Sequence, residues 1–342
     1  METTMRNGHR SALGLCLAIG AVLIAALPLA GASPQVQRRR NPRGREIPER
    51  TASLKQENSA YRMVTIGVPG NTYYAALEEI TEAGLAVGNY SLLPDASDSY
   101  SFLWQDGRIT PLPYAEDPTA GVYMYGVNNR GLVIGTLFFP DYSKAAVFDV
   151  HRKKWTLFPD VTFKGERYQF SLGLRMNDSG HAVGFACKAD WVTCVGWIWN
   201  GSAYSVAMLE PSLGWVGPLA INNRGDVVGQ TEDAEGHTHA YLQDGSRLIS
   251  LDVPGAAYTY VNDINDEGEV LLDAVFGDDP TGPSQSYIWR KGTLSRLPNV
   301  DGARNTYAYG LNNQEDFCGR WYDPDGGSHA FLALKKDGKG KN

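Results

Sequence analysis

The chain is poor in the residues and patterns that usually advertise chemistry. It has no G-x-S-x-G, no H-E-x-x-H, no P-loop and no paired C-x-x-C, so no recognised catalytic signature is present. Histidine and cysteine are scarce, 6 and 4 in 342 residues. His237 and His239 stand two apart, but one falls in a loop and the other opens a strand, with no third ligand nearby, so no metal site is expected there. No cofactor is expected either. After residue 60 no stretch keeps helical periodicity over three turns, which leaves strands. Basic charge is thin outside the N-terminus: beyond residue 50, 23 Lys and Arg face 35 Asp and Glu. An acidic body argues against a phosphate-backbone partner, so nucleic acid is not expected.

What the chain does have is a repeat. The stretch Ile221-Asn222-Asn223-Arg224-Gly225-Asp226-Val227-Val228-Gly229 recurs in degraded copies that begin at Ile80, Val127, Met176, Ile264 and Leu311. The six copies are spaced 43 to 49 residues apart. A period of that size marks a solenoid, an array or a radial ring of small sheets.

Unit four reads as four short strands. The first, about 216–221, ends in the turn Asn222-Asn223-Arg224-Gly225, where Asn and Gly tolerate the positive φ of a tight reversal. The second covers 226–230 and the third 239–243. The third turns at Asp244-Gly245 into a fourth strand over 247–251. The third strand recurs around Trp104, Trp199 and Trp289, and aromatics at one strand position suit packing between adjacent sheets. An isolated hairpin is marginal, so each unit needs its neighbours.

The ends of the repeat say how it closes. Unit six gives out near Leu334 without a fourth strand of its own. Met63-Val64-Thr65-Ile66-Gly67-Val68-Pro69-Gly70 resembles the fourth-strand segment Leu248-Ile249-Ser250-Leu251-Asp252-Val253-Pro254-Gly255. The N-terminal segment is therefore expected to complete the last unit and remove the exposed edges of an open array. The predicted fold is all-β: a six-bladed β-propeller with four-stranded blades over residues 61–334, its last blade closed by the N-terminal strand. Residues 335–342 read as a flexible tail.

These units resemble the extracellular repeats named for their His-Ala-Phe tripeptide, found in many secreted bacterial proteins. His329-Ala330-Phe331-Leu332 carries that motif intact and His239-Ala240-Tyr241-Leu242 nearly so. The Asn-Asn-x-Gly-x-Val-x-Gly core matches at 128–135 and 222–229, and with Asp178 at 177–184. Departures are Thr81 and Glu82 in place of the Asn pair, Leu272 for the final Gly and Glu315 for the first Gly. The resemblance implies an exported, propeller-like protein. It implies no established reaction and brings no catalytic residues.

Residues 1–32 read as a signal peptide. Arg6, His9 and Arg10 precede an apolar run from Ala12 to Leu29, and Ala30-Gly31-Ala32 offers a cleavage site. The alternative is an uncleaved membrane anchor, and the five Arg from Arg38 to Arg45 complicate both readings. Residues 33–60 read as a disordered basic leader. An extracellular or periplasmic location follows, as a monomer with no stable membrane insertion once the signal is removed. Cys187 and Cys194 flank the loop between strands two and three of unit three, and an export compartment allows a disulfide there. The alternative is two reduced thiols. Cys318 reads as a small buried hydrophobe.

Two readings of function follow. The first is a non-catalytic binding or scaffold protein that meets a protein or carbohydrate on its long-loop face, since variable loops on a rigid scaffold are where binding usually lives. The loops after strand two carry Asp95, Asp98, Asp141, Glu232, Asp233, Glu235, Asp278, Asp279, Asp323 and Asp325, so this face is expected to be acidic. The second is a hydrolase or lyase. The residues just before each repeat's anchor are Glu79, Gly126, Arg175, Ala220, Asp263 and Gly310. Glu79, Arg175 and Asp263 would converge on the axis as a ligand-binding pocket with acid–base carboxylates, unless the channel is simply water-filled and its charges solvated. Tyr258, Tyr260, Tyr307 and Tyr309, with Trp215 and Phe170, offer a further ring of aromatics leading into the first strands. The balance of these readings favours a binding protein over an enzyme.

Overall fold

The computed structural model describes residues 55–57, 60–70, 72–93, 99–113, 121–190, 193–207 and 217–336. The expected signal peptide, most of the basic leader, Asp95, Asp98 and Trp215 lie outside them. Among the described residues there is no helix, and none therefore long and apolar enough to cross a membrane.

The strands follow the repeat. β1 (Lys55–Glu57) and β2 (Tyr61–Ile66) come first. Unit one supplies β3 (Tyr74–Ile80), β4 (Ala86–Ser91), β5 (Tyr100–Gln105) and β6 (Arg108–Pro111). Unit two supplies β7 (Gly121–Val127), β8 (Leu132–Phe138), β9 (Ser143–Asp149) and β10 (Lys154–Leu157). A hairpin, β11 (Val161–Phe163) and β12 (Glu166–Tyr168), leads into unit three: β13 (Phe170–Met176), β14 (Ala182–Cys187), β15 (Cys194–Trp199) and β16 (Tyr204–Ala207). Unit four holds β17 (Gly217–Ile221), β18 (Val227–Glu232), β19 (Thr238–Asp244) and β20 (Arg247–Ser250). Unit five holds β21 (Tyr258–Ile264), β22 (Val270–Val275), β23 (Ser284–Arg290) and β24 (Thr293–Arg296). Unit six ends the chain with β25 (Asn305–Leu311), β26 (Phe317–Tyr322) and β27 (Ser328–Lys335).

Units one, four and five are separate four-stranded antiparallel sheets in chain order. The other sheets depart from the expected set of six separate four-stranded sheets. Units two and three belong to one eight-stranded sheet, joined by a parallel bridge between Phe170 and Ser143. The Ser143 amide donates to the Gln169 carbonyl and the Ala145 amide to Ser171 Oγ, which ties the two units together. The last sheet has five strands, β1-β2-β27-β26-β25. β1 falls inside the stretch read as a disordered leader, because Lys55–Glu57 find partners in Val64, Met63 and Arg62. The hairpin β11–β12 had no counterpart in the repeat.

β2 pairs antiparallel with β27 from Tyr61↔Lys335 to Ile66↔Ala330. Ile66, with Val64 and Val68, packs on Ala75, Leu77 and Phe102 of unit one and on Ala330 and Leu332 of unit six. Unit six in turn lies against β3 of unit one. The apolar core is therefore distributed between sheets. Separate clusters join units one and two around Val87 and Met124, units two and three around Ile134 and Trp197, and units five and six around Leu271 and Phe317.

The last glycine of the repeat has a steric cause. A Cβ at Gly184 would stand 2.0 Å from the Leu172 carbonyl oxygen and 2.4 Å from the ring of Trp197. At Gly229 it would meet the Gly217 carbonyl at 2.2 Å and the Tyr241 hydroxyl at 2.3 Å. The aromatic of strand three lies over the bare backbone of strand two, which is why the two motif elements recur in register.

Deleting residues 61–70 strips β27 of its hydrogen-bonding partner and removes Met63 and Ile66 from the core, each worth roughly 1.5–3 kcal/mol of burial. The variant is expected to lose most of its thermal stability or to oligomerise through the bared edge. Calorimetry with light scattering checks this; a monomer that melts with the wild type would show that closure contributes nothing.

Candidate functional site

Every first strand carries the same irregularity. Its register with the second strand shifts between Leu77/Glu79, Met124/Gly126, Gly173/Arg175, Pro218/Ala220, Val261/Asp263 and Ala308/Gly310. A bulge re-aims side chains. Here it leaves Glu78, Tyr125, Leu174, Leu219, Asn262 and Tyr309 unpaired in the ladder, one residue before each of the six positions singled out in the sequence.

Glu79, Arg175 and Asp263 are brought together, and they are buried. Arg175 Nε lies 2.7 Å from Glu79 Oε2 and 3.6 Å from Asp263 Oδ1. Both are ion pairs by distance, but the N–H is not aligned for a hydrogen bond. The other guanidinium nitrogens are fully engaged. Nη2 donates to the Glu78 carbonyl at 3.0 Å and the Tyr309 carbonyl at 2.9 Å, and Nη1 to the carbonyls of Tyr125 and Leu174. One side chain thus ties units one, two and six to unit three. Glu79 Oε1 accepts from the Ile80 amide at 2.9 Å, and Asp263 Oδ2 from the Leu311 amide at 2.8 Å.

The axis at this level is packed, which corrects the alternative of a water-filled channel with solvated charges. A Cβ on Gly310 would stand 2.6 Å from Glu79 Cα, and one on Gly126 3.0 Å from the Leu174 carbonyl oxygen. Small residues in the even units make room for the charged ones in the odd units. Burial pushes the Glu79 carboxyl well above the usual carboxylate range, reinforced by Asp263 and opposed by Arg175. Asp263 is raised by burial too, with Arg175 opposing. The two carboxyls are hydrogen-bonded to each other. One proton shared by the two carboxyls would leave the cluster neutral, with one guanidinium facing one negative charge.

At the turn end the cluster faces a small cavity of about 70 Å³, which Glu79, Arg175 and Asp263 line together with the repeat's Asn-Asn turns. The first residue of each turn binds the next unit. Asn128 Nδ2 donates to the Asn177 carbonyl at 3.0 Å, Asn177 to Asn222 at 3.0 Å, Asn222 to Asn265 at 3.1 Å, Asn265 to Asn312 at 3.1 Å and Asn312 to Thr81 at 3.3 Å. Meanwhile each Oδ1 caps its own turn; that of Asn265 accepts the Glu267 and Glu269 amides at 3.1 and 2.9 Å.

The second residue of each turn closes a full cycle. The amides of Glu82, Asn129, Asp178, Asn223, Asp266 and Asn313 donate in turn to the side-chain oxygens of Asn129, Asp178, Asn223, Asp266, Asn313 and Glu82, at 2.6–3.0 Å. Acid and amide alternate around it. Glu82 is a departure from the repeat by residue type but performs the same task as Asp178 and Asp266.

The repeat's histidine is structural as well. Asp233 Oδ2 meets His239 Nε2 at 3.2 Å and His237 Nδ1 at 3.3 Å, and Asp323 Oδ2 meets His329 Nε2 at 2.8 Å. Among the described residues no three His, Cys, Asp or Glu side chains stand together as a metal site. Cys187 and Cys194 face each other across β14 and β15 and form a disulfide, with Cα atoms 4.1 Å apart. Cys318 is buried and free. Of the aromatics leading into the first strands, Tyr258, Tyr260 and Tyr309 are buried.

Next to Glu79 on β3, Glu78 is buried and accepts from Tyr123 Oη at 2.7 Å, Tyr74 Oη at 3.2 Å and Asn89 Nδ2 at 3.3 Å. Burial raises its carboxyl above the usual range, and Tyr123 opposes this. Sequence reasoning missed Glu78, because the bulge that turns it inward leaves no trace in a two-residue period.

No family model matches the chain, and no curated protein matches it. Solved structures do. A protein of unknown function from Dyadobacter fermentans aligns with a TM-score of 0.54 at 12% identity, over 85% of this chain and 100% of that one. A gluconolactonase from Xanthomonas campestris aligns at 0.51 and 12%, over 86% and 99%. The β-propeller domain of the trilobed protease from Pyrococcus furiosus aligns at 0.47 and 11%, over 79% and 97%. The fold is all-β and propeller-like. At such identities the likeness reaches no further than the fold.

Two consequences are measurable. Asn265→Ala removes two caps and an inter-unit bond and is expected to cost about 2–4 kcal/mol in urea denaturation. A raised carboxyl contributes stability that is fully present below its unfolded value near ~4.3 and lost as pH rises through its folded value. Wild-type stability should therefore fall across that window by about 1.4 kcal/mol per unit of elevation. Glu79→Gln should flatten the profile, and an unchanged slope would place the proton elsewhere.

Proposed function

We propose that the protein is an exported, non-catalytic binding or scaffold β-propeller of six four-stranded blades, which meets its partner on the long-loop face. The eight-stranded sheet is read as two blades joined at the Phe170–Ser143 bridge, which gives one blade per repeat. The histidine-containing motif and the turn core support membership in the HAF-type repeats. The N-terminal charge and apolar run support export, and the Cys187–Cys194 disulfide suits an oxidising compartment.

One observation carries the choice of face. The Asn turns after the first strands meet one another in a ring, so antiparallel pairing sends the loops after strands two and four to the other face. Of the seven large hydrophobics most exposed among the described residues, five are on those loops: Tyr73, Leu92, Leu93, Tyr142 and Phe276, with Tyr73 at 57% and Phe276 at 50%. Such residues on loops of one face suit an interaction surface. Asp141, Asp233, Asp278, Asp279, Asp323 and Asp325 share the face, so a protein or carbohydrate with basic or neutral polar groups fits better than an anionic polymer.

The alternative, a hydrolase or lyase using the channel carboxylates, meets a geometric objection. Paired carboxyls that act on a glycosidic bond stand about 5–9.5 Å apart with the bond between them. Glu79 and Asp263 are hydrogen-bonded to each other, and their remaining oxygens are taken by Arg175 and backbone amides.

The test compares a face variant, Tyr73→Ser with Leu93→Ser and Phe276→Ser, against an outer-strand control, Leu157→Ser with Leu248→Ser, on arrayed glycans and arrayed secreted proteins. The face variant should lose about tenfold in signal, as for a set of central contacts, while the control retains it. Equal loss in both, or Glu79-dependent turnover of a lactone, ester or glycoside panel, would replace this reading with the other.

A further inference from the structure

Arg320 is the polar group in the fold least accounted for. It sits on β26 opposite Tyr307 and is 3% exposed. Among the described residues its guanidinium has no carboxylate within ion-pair distance, and its buried Nε has no hydrogen-bond partner. Its neighbours are ring faces. Tyr307 and Tyr322 have centroids 5.2 Å from its Cζ, Tyr74 5.4 Å and Tyr309 5.6 Å. The Tyr309 hydroxyl, also buried, has no partner. Burying a cation without a counter-charge carries a desolvation cost, which cation–π contacts offset only in part.

The contrast with Arg175 is direct. That guanidinium lies on the same axis with two carboxylates within ion-pair distance of its Nε and its other nitrogens bonded to four carbonyls, although its Nε, like that of Arg320, makes no hydrogen bond. Arg320 lies toward the other end, near where the first strands enter from the long-loop face. Tyr74, Tyr307 and Tyr322 are each partly exposed there, whereas Tyr309 and Arg320 are buried beneath them. The arrangement is a buried cation ringed by four tyrosines, with its Nε and the Tyr309 hydroxyl lacking hydrogen-bond partners among the described residues.

We propose that Arg320 and Tyr309 form the anion-recognition end of a small-molecule site in the long-loop face, and that its ligand is a sugar acid bearing one carboxylate. The guanidinium fork matches a carboxylate in two parallel hydrogen bonds, and the Tyr309 hydroxyl supplies a further donor. The aromatic walls suit the flat, C–H-rich face of a pyranose ring. A dianion fits less well. Glu78 on β3 and Asp273 on β22 both act electrostatically on Arg320 without touching it, and they repel additional negative charge. The remaining titratable groups facing Arg320 are tyrosines, namely Tyr74, Tyr307, Tyr309 and Tyr322, with Tyr123 behind Tyr74. Asp273, held by Ser286 and Asn262, is pushed up to about 7 by burial. Its protonation on the acid side of neutrality should strengthen anion binding. This inference rests on the reading of the long-loop face as the binding face.

The test is isothermal titration of the full chain with sodium D-glucuronate, with D-glucose as the neutral counterpart and inorganic phosphate as the dianion. Saturable glucuronate binding is expected, with glucose and phosphate each about tenfold weaker or worse, and tighter at pH 6 than at pH 8. Arg320→Gln should cost about tenfold or more and Tyr309→Phe several-fold. If Arg320→Gln does not fold, Tyr309→Phe decides. Absence of saturable glucuronate binding, equal affinity for glucose, or unchanged affinity in the folded variants overturns the proposal. The outcome is separable from that of the face variants: loss of array binding there with no glucuronate binding here leaves the binding face standing and removes only this site.

Discussion

The side-chain amide of the first turn residue is the interaction on which the rest depends. A small twisted sheet has two faces and cannot bury either alone, so neighbouring sheets must be held at one angle for their apolar clusters to meet. Asparagine does this with both ends of one group. Its oxygen accepts two amides of its own turn, which sets the reversal, and its nitrogen reaches the carbonyl of the same residue one unit on. An aspartate could cap the turn but has no N–H to give, and a serine is too short to reach. Thr81 shows the consequence. Its hydroxyl caps its turn by accepting the Leu85 amide, and between the turns of units one and two the bond is made by the second ring, through the Glu82 amide and Asn129.

The axial cluster follows from the same constraint. Six first strands converging on one line leave little volume, and the register shift turns an extra residue of each strand toward it. Large groups fit only where their neighbours are small, hence Glu79, Arg175 and Asp263 against Gly126, Ala220 and Gly310. Once these charges are buried, their energetics favour mutual satisfaction over reactivity. The guanidinium faces both carboxyls, burial raises both above the usual carboxylate range, and backbone amides take an oxygen of each. Polar residues meeting on an axis are thus no guide to chemistry until their partners are counted.

That distinction also sets how much was legible in the sequence. The period, the turn chemistry and the strand boundaries of unit four could be read because asparagine, glycine and the strand-three aromatic each answer a local steric or hydrogen-bonding demand. The role of Met63–Gly70 could be read from its likeness to Leu248–Gly255. The meeting of Glu79, Arg175 and Asp263 could be read from equivalent positions in the repeat, but their burial could not. The bulge was invisible, and with it the inward placement of Glu78 and Tyr309. So was the acid–amide alternation: Glu82 counted as a defect in the motif, whereas its longer side chain accepts the Asn313 amide just as an aspartate does elsewhere in the ring. The fusion of units two and three, and the strand at Lys55–Glu57, depend on single bridges and an edge pairing that no periodicity encodes.

The two ends of the axis differ in how completely their polar groups are satisfied. At the turn end the amide groups of the turns have partners that repeat from unit to unit, and Arg175 has two carboxylates within ion-pair distance of an Nε that makes no hydrogen bond. That regularity is what a structural device requires. Toward the loop end the pattern breaks. The position after the repeat's last glycine holds Asn89, Thr136, Phe185, Gln230, Asp273 and Arg320, all buried. Asn89 fills its role by bridging to both backbone groups of Met124 in the next unit. Arg320, too long for such a bridge and without a carboxylate, leaves its Nε unanswered, as do Thr136 Oγ1 and Gln230 Oε1. The difference between the two ends is one of counter-charge, since Arg175 has two carboxylates within ion-pair distance and Arg320 is surrounded by tyrosine rings.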